Sequence, residues 1–277
     1  MIQTGRVFLG LHELRTVRFY KGLMCEFLGG CILIVCGCGA SLTMEAGKPP
    51  STVTRAFVAG MTIANIVWTL NHVSGSHNNP VITFAFMISG IVSVTKTIGY
   101  IIAQCLGTMT GAAVVWFLVP PSWRGNLGST VFHEDVTLVQ GFFIEFISTF
   151  ILMMGVFATA DRYRTDHSGS LPLTIGLIIF MSNAWAGKLT GCSMNPARSF
   201  GPAVVSGSWN HHWVYWVAPF AGSTFGSQLY RYALAESPQE ADTSIHVNRR
   251  DPHHKKPSYL RKFTDKTIVI EATPTQL

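Results

Sequence analysis

Long apolar runs separated by short polar breaks set the pattern of this 277-residue chain. A hydrocarbon layer about 30 Å thick takes about 20 mostly apolar residues per helical crossing. Against that length the runs predict six spanning helices, over about 22–42, 53–72, 95–118, 138–159, 172–189 and 213–233. They form a membrane body at 22–233, flanked by polar tails at 1–21 and 234–277. Two further segments, 73–90 and 187–207, are only mildly apolar and place a proline directly after an asparagine. Proline suits the first helical turn, where its missing N–H has no partner, and asparagine is a favoured N-cap. Each segment therefore reads as a loop that dips into the membrane and continues as a half-length helix. Non-helical backbone at that depth is tolerated where it lines a water-filled cavity.

The pattern occurs twice. Glu26-Phe27-Leu28 in the first span matches Glu145-Phe146-Ile147 in the fourth. Gly75-x-x-x-Asn79-Pro80-x-x-x-Phe84 matches Gly191-x-x-x-Asn195-Pro196-x-x-x-Phe200. The repeats cover about 22–118 and 138–233. Three crossings per repeat is an odd number, so the second copy enters from the opposite face and the chain is an inverted repeat. The fold class is an all-α membrane protein with six transmembrane helices and two re-entrant half-helices. Asn79 and Asn195 should then meet midway through the membrane.

Composition supports this class. Apolar residues make up 48% of the chain and charged residues 12%, about half the charge of an ordinary soluble domain. Disorder and collagen-like repeats are excluded by the high apolar content and by glycine and proline without a period. Residues 1–21 hold 5 of the charged side chains and 233–277 hold 13, so both tails face water. The net charge of +6 suits contact with an anionic leaflet rather than nucleic acid, and no nucleic-acid partner is expected. Arg6, Arg15, Arg18, Lys21, Lys96, Arg162 and Arg164 mark one side of the membrane. The other side has Lys48, Arg124 and Lys188, set against Glu45, Glu134 and Asp135, so both termini are expected in the cytoplasm. No cleavable signal peptide is expected, because 1–21 lacks a long apolar run. Cys25, Cys31, Cys36, Cys38 and Cys105 lie inside predicted spans and read as small buried hydrophobes. The 249–266 segment reads as a soluble tail, with Ser258 and Thr264 as candidate phosphorylation sites. No nucleotide-binding loop, catalytic triad or metal cluster is evident, so neither an enzyme nor a cofactor is expected.

The duplicated Asn-Pro signature, here Asn79-Pro80-Val81 and Asn195-Pro196-Ala197, resembles that of the major intrinsic protein family, the aquaporins and glycerol facilitators. The resemblance runs from about Lys21 to Tyr232 and includes Ser74-Gly75-x-His77, Thr190 through Pro202, and both span glutamates. It implies a passive channel for water and small neutral solutes, embedded in lipid and assembled as a homotetramer, with the plasma membrane as its expected location. Two half-helix N-termini converging at the midplane present a partial positive field. Asn79 and Asn195 would donate hydrogen bonds to a passing water oxygen, which breaks a proton wire and repels cations; the plainer reading makes them N-caps only. Arg198 would belong to the outer selectivity filter, with a structural ion pair as its alternative. Glu26 and Glu145 could form a proton relay, but the family reading makes them acceptors for loop N–H groups.

The family filter carries over to Ala59, Asn183 and Cys192. Water-selective members usually have Phe and His at the first two positions, so the ring here should be wider and admit glycerol or urea. Cys192 would be exposed at the mouth and open to mercurials. Leu33, Ile63, His77, Leu152 and Ile179 would form the pore wall. Ser199, Ala203, Tyr215 and Trp216 are of the water-channel type, so the whole looks like a water-channel scaffold with an opened filter, similar to the insect glycerol-transporting branch. Val81 stands where the family has alanine, and its extra methyl groups would either tilt Asn79 or be absorbed by packing. The alternatives are a water-only channel and a junction or adhesion protein with a closed pore.

Overall fold

The computed structural model describes residues 8–42, 50–161, 163–164 and 169–235. Arg6, Glu45, Lys48, Arg162, Ser258 and Thr264 lie outside them. The described residues contain helices, turns and loops and no strand. Eight α-helices follow in order: α1 (Val17–Gly39), α2 (Thr52–Ser74), α3 (Pro80–Ile88), α4 (Val94–Leu118), α5 (Leu138–Ala160), α6 (Leu171–Ala186), α7 (Pro196–Ser206) and α8 (Val214–Leu229). One compact unit holds the helices, and a second comprises 162–166 and 236–277, of which only Tyr163 and Arg164 are described.

Helices α1, α2, α4 and α5 have the length and apolar character to cross a membrane. Helices α6 and α8 have 16 residues each, about 24 Å at 1.5 Å per residue, and α8 continues into a wider turn at Tyr230–Leu234. The first span begins at Val17, not near residue 22, because Thr16 caps it by accepting from Phe19 N. Arg18 and Lys21 therefore lie on the helix, where long basic side chains can reach the headgroups. The fifth span ends at Ala186, short of residue 189, where the chain turns toward the second re-entrant loop. Ser51, Ser93, Thr137 and Ser170 cap α2, α4, α5 and α6 in the same manner as Thr16.

Helix packing follows the repeat. A Cβ on Gly111 of α4 would lie 2.6 Å from the Cys31 carbonyl of α1, and one on Gly226 of α8 would lie 2.7 Å from the Phe150 carbonyl of α5. Between the halves, α2 and α6 meet reciprocally. A Cβ on Gly60 would sit 2.5 Å from Gly176 O, and one on Gly176 would sit 2.6 Å from Gly60 O. Small residues let backbones approach this closely where lipid supplies no hydrophobic drive for association. The half-helix α3 packs against α4 and α8, and α7 packs against α4, α1 and α8.

Candidate functional site

The two re-entrant loops share one backbone conformation. Gly75, Ser76 and Asn78 have φ of 89°, 47° and 47°, and Gly191, Cys192 and Met194 have 82°, 44° and 50°. Left-handed backbone is costly for non-glycine residues and persists only where the surroundings over-determine it. Buried carboxylates supply that constraint. Glu26 accepts from His77 N (3.0 Å), Asn78 N (2.6 Å) and Gln104 Nε2 (2.7 Å). Glu145 accepts from Ser193 N (2.9 Å), Met194 N (3.0 Å) and Thr190 Oγ1 (2.6 Å). Both glutamates are fully buried. Each carboxylate spans two successive N–H groups, holding its loop in the shape that delivers the following asparagine to the end of a half-helix.

Asn79 Oδ1 accepts from Val81 N at 3.1 Å, and Asn195 Oδ1 accepts from Ala197 N at 3.1 Å and Arg198 N at 3.2 Å. These bonds fix the amide orientation, because a backbone N–H needs the oxygen. Each Nδ2 then faces the other repeat: Asn79 Nδ2 donates to Met194 O and Asn195 Nδ2 donates to Asn78 O, both at 2.8 Å. An amide nitrogen carries two hydrogens, so each keeps one N–H after the cross-link. Val81 is fully buried, and its cap bond has the same length as that of Ala197. Its methyl groups are thus absorbed without displacing Asn79. Pro80, Val81, Pro196 and Ala197 are buried in the first turns of α3 and α7, directly after the asparagines that line the cavity described next.

A cavity of about 610 Å³ runs through the helical unit. Its wall extends from Thr52 and Asn126 at one mouth, past Asn79 and Asn195, to Ala160 and Leu171 at the other. Ala59, Asn183, Cys192 and Arg198 all contribute to it, as do Leu33, Ile63, His77, Leu152 and Ile179. Asn183 Nδ2 donates to Ile179 O at 3.0 Å, which leaves Oδ1 as an acceptor. Arg198 Nη1 is buried without a hydrogen-bond partner. Cys192 does not stand open at the mouth: it keeps 2% of its surface and packs in an apolar cluster with Leu152 and Met194. The left-handed turn at Cys192 is a backbone feature that residue spacing does not reveal, and the mercurial block expected of an exposed thiol loses its basis.

Several wall residues escaped the sequence reading. Thr52, Arg55 and Ala56 precede Ala59 on the same face of α2, at the three- and four-residue spacing that marks a helical stripe; extending the stripe outward from Ala59 finds them. Gly128, Ser129, Phe132 and Glu134 come from the loop between α4 and α5, where no periodicity exists to read. That loop also holds the second re-entrant segment. Thr130 Oγ1 donates to Ser199 Oγ at 2.7 Å, and His133 N donates to Leu189 O at 2.8 Å. Tyr215 OH reaches Thr190 O from α8 at 2.7 Å.

Beside this mouth, Trp216 Nε1 donates to His212 Nε2 at 3.2 Å, so that nitrogen is unprotonated. The His212 ring packs against Trp209, Phe200 and Tyr215. Burial holds its pKa below the ordinary histidine value. The unfolded chain therefore takes up this proton first on acidification, and the contribution is complete above about pH 6.5 and lost as pH falls below it. The thermal unfolding midpoint should drop as pH falls below about 6.5, and His212→Gln should flatten that drop. An identical pH curve for the variant would contradict the assignment.

The comparisons with known proteins agree with this geometry. Residues 13–230 match the Major intrinsic protein family. Aquaporin-4 of Mus musculus is 40% identical over 222 residues, 79% of this chain and 69% of the relative. The lens fiber major intrinsic protein of Lithobates pipiens is 39% identical over 222 residues, 80% of this chain and 84% of the relative. The X-ray structure of the aquaglyceroporin from Plasmodium falciparum superposes with a TM-score of 0.70 over 81% of this chain and 99% of that one, at 23% identity, a likeness of fold. The chain belongs to the major intrinsic protein family, and it is a membrane channel for water or small solutes, not an enzyme.

Proposed function

We propose that this channel passes glycerol- and urea-sized neutral solutes as well as water, and excludes ions and protons. The observation that carries the reading is the pair of small side chains, Ala59 and Asn183, on the wall that also bears Arg198. Arg198 offers a donor to a solute oxygen, and Asn183 Oδ1 offers an acceptor to a hydroxyl or amide hydrogen. A group that both donates and accepts, such as an alcohol or a urea, is matched at both ends. At the midplane Asn79 and Asn195, both in the cavity wall, each have one N–H left to offer to a solute oxygen. A water held by two donors turns its hydrogens away along the file, so a proton cannot hop across it. Arg198 and the two half-helix N-termini repel cations. No cofactor is required. The chain works as a multi-pass protein of the plasma membrane, as a homotetramer in lipid with both termini cytoplasmic.

Uptake of labelled glycerol and urea into vesicles carrying the protein, with a pH dye inside, tests this reading. Both labels should enter faster than into empty vesicles, with no dye response to an imposed pH gradient. Water flux without label uptake supports the water-only channel, and a dye response overturns proton exclusion. A closed junction protein is the weaker reading, because one cavity takes in both asparagines and wall residues from Thr52 to Leu171.

A further inference from the structure

The mouth that bears Arg198 carries a second guanidinium. Arg55 lies four residues before Ala59 on the same face of α2, about 6 Å further out at 1.5 Å per residue. The end of α2 that bears Thr52 and Arg55 lines the same cavity as Asn126, Gly128, Ser129 and Arg198. Cys38 near the end of α1 approaches Gly128 O at 3.7 Å, and Gly128 belongs to the loop whose Thr130 holds Ser199 beside Arg198. Three polar atoms at this mouth are buried and have no hydrogen-bond partner: Thr52 Oγ1, Arg55 Nε and Arg198 Nη1. Each can donate. Neither arginine forms a salt bridge among the described residues. The described charged residues in the wall are Arg55, Lys188 and Arg198, opposed by the exposed Glu134.

The geometry points to an oxyanion site at this mouth, taking a small sulfate, phosphate or carboxylate group between Arg55 and Arg198. Buried donors without partners are costly, and two guanidiniums opening on one cavity favour an acceptor that carries negative charge over water alone. Thr52 supplies a third donor from the same helix turn as Arg55. Excess positive charge in a cavity with low-dielectric walls raises the local anion concentration. An anion held here stands over the Ala59, Asn183 and Arg198 ring and obstructs solute access, so extracellular oxyanions slow conduction without crossing.

Sulfate is the probe, compared with chloride at equal ionic strength. Binding is read from thermal unfolding of the purified full chain, and obstruction from water flux in proteoliposomes. Sulfate should raise the unfolding midpoint and lower water flux, both saturably and with one half-maximal concentration. Losing one charge-assisted partner is worth about tenfold in affinity, so Arg55→Gln should raise that concentration about tenfold and Arg55→Lys by less. A wild-type response no different from chloride, or one that is linear with no plateau, overturns the site. An unchanged half-maximal concentration in Arg55→Gln also overturns it, because the anion then rests on Arg198 alone. If Arg55→Gln does not fold, Arg55→Lys decides between the same outcomes. The unfolding assay needs no conduction, so it fails or succeeds independently of the proposed solute range.

Discussion

Glu145→Ala protein is expected to lose all water and solute flux and to unfold at much lower temperature than the wild type. The carboxylate takes three hydrogen bonds, from Ser193 N, Met194 N and Thr190 Oγ1. Deleting it leaves those donors buried with no water to replace it, at about 1–3 kcal/mol each. Met194 and Cys192 sit in left-handed backbone that is otherwise unfavourable. Once released, the loop relaxes, Met194 O leaves Asn79 Nδ2, and the cross-link between repeats opens. Glu145→Gln retains an acceptor oxygen and should fall between wild type and alanine. Unfolding by intrinsic fluorescence, paired with flux in proteoliposomes, measures both effects. Full flux and a stability loss under about 0.5 kcal/mol, the range of an unremarkable surface change, would remove Glu145 from its role as the loop anchor.

The second large effect concerns the ring. Ala59→Phe combined with Asn183→His should cut glycerol flux about ten- to a hundredfold, the size of a steric discrimination worth about 1–3 kcal/mol, while water flux falls far less. Phenylalanine at 59 places a ring where a methyl group now stands, and histidine removes the Asn183 Oδ1 acceptor. Gly60 and Gly176 must keep their close approach beside it, so the variant needs a folding check by size-exclusion chromatography. Equal loss of both fluxes would indicate damage to the α2–α6 contact instead of a narrowed filter.

Much of the fold was legible because membrane burial imposes long apolar runs, and because an asparagine before a proline is a strong helix-start signal even at membrane depth. Its duplication brought Asn79 and Asn195 to the same place, as their cross-links to Met194 O and Asn78 O make clear in atomic detail. Helix ends were less legible. The start of α1 depends on the Thr16 cap and not on hydropathy, since Arg18 and Lys21 continue the helix past the apolar run. The Ala59, Asn183 and Arg198 positions came from spacing within a resemblance, whereas the hydrogen bond that turns Asn183 Oδ1 free required coordinates. Nothing in the sequence singled out Thr52 and Arg55, whose place on the cavity wall shows only once Ala59 is seen on the same helix face. The burial of Cys192 follows from a local left-handed turn, a backbone state that its own residue type argues against.

Shrinkage and reswelling of wild-type proteoliposomes by stopped-flow light scattering test the central claim most directly. Under an inward sucrose gradient the vesicles should shrink faster than empty liposomes and stay shrunken. Under glycerol or urea gradients they should shrink and then reswell faster than empty liposomes as solute follows water. Shrinkage at the empty-liposome rate in all three would contradict the channel, and fast shrinkage without accelerated reswelling would contradict the open ring at Ala59 and Asn183.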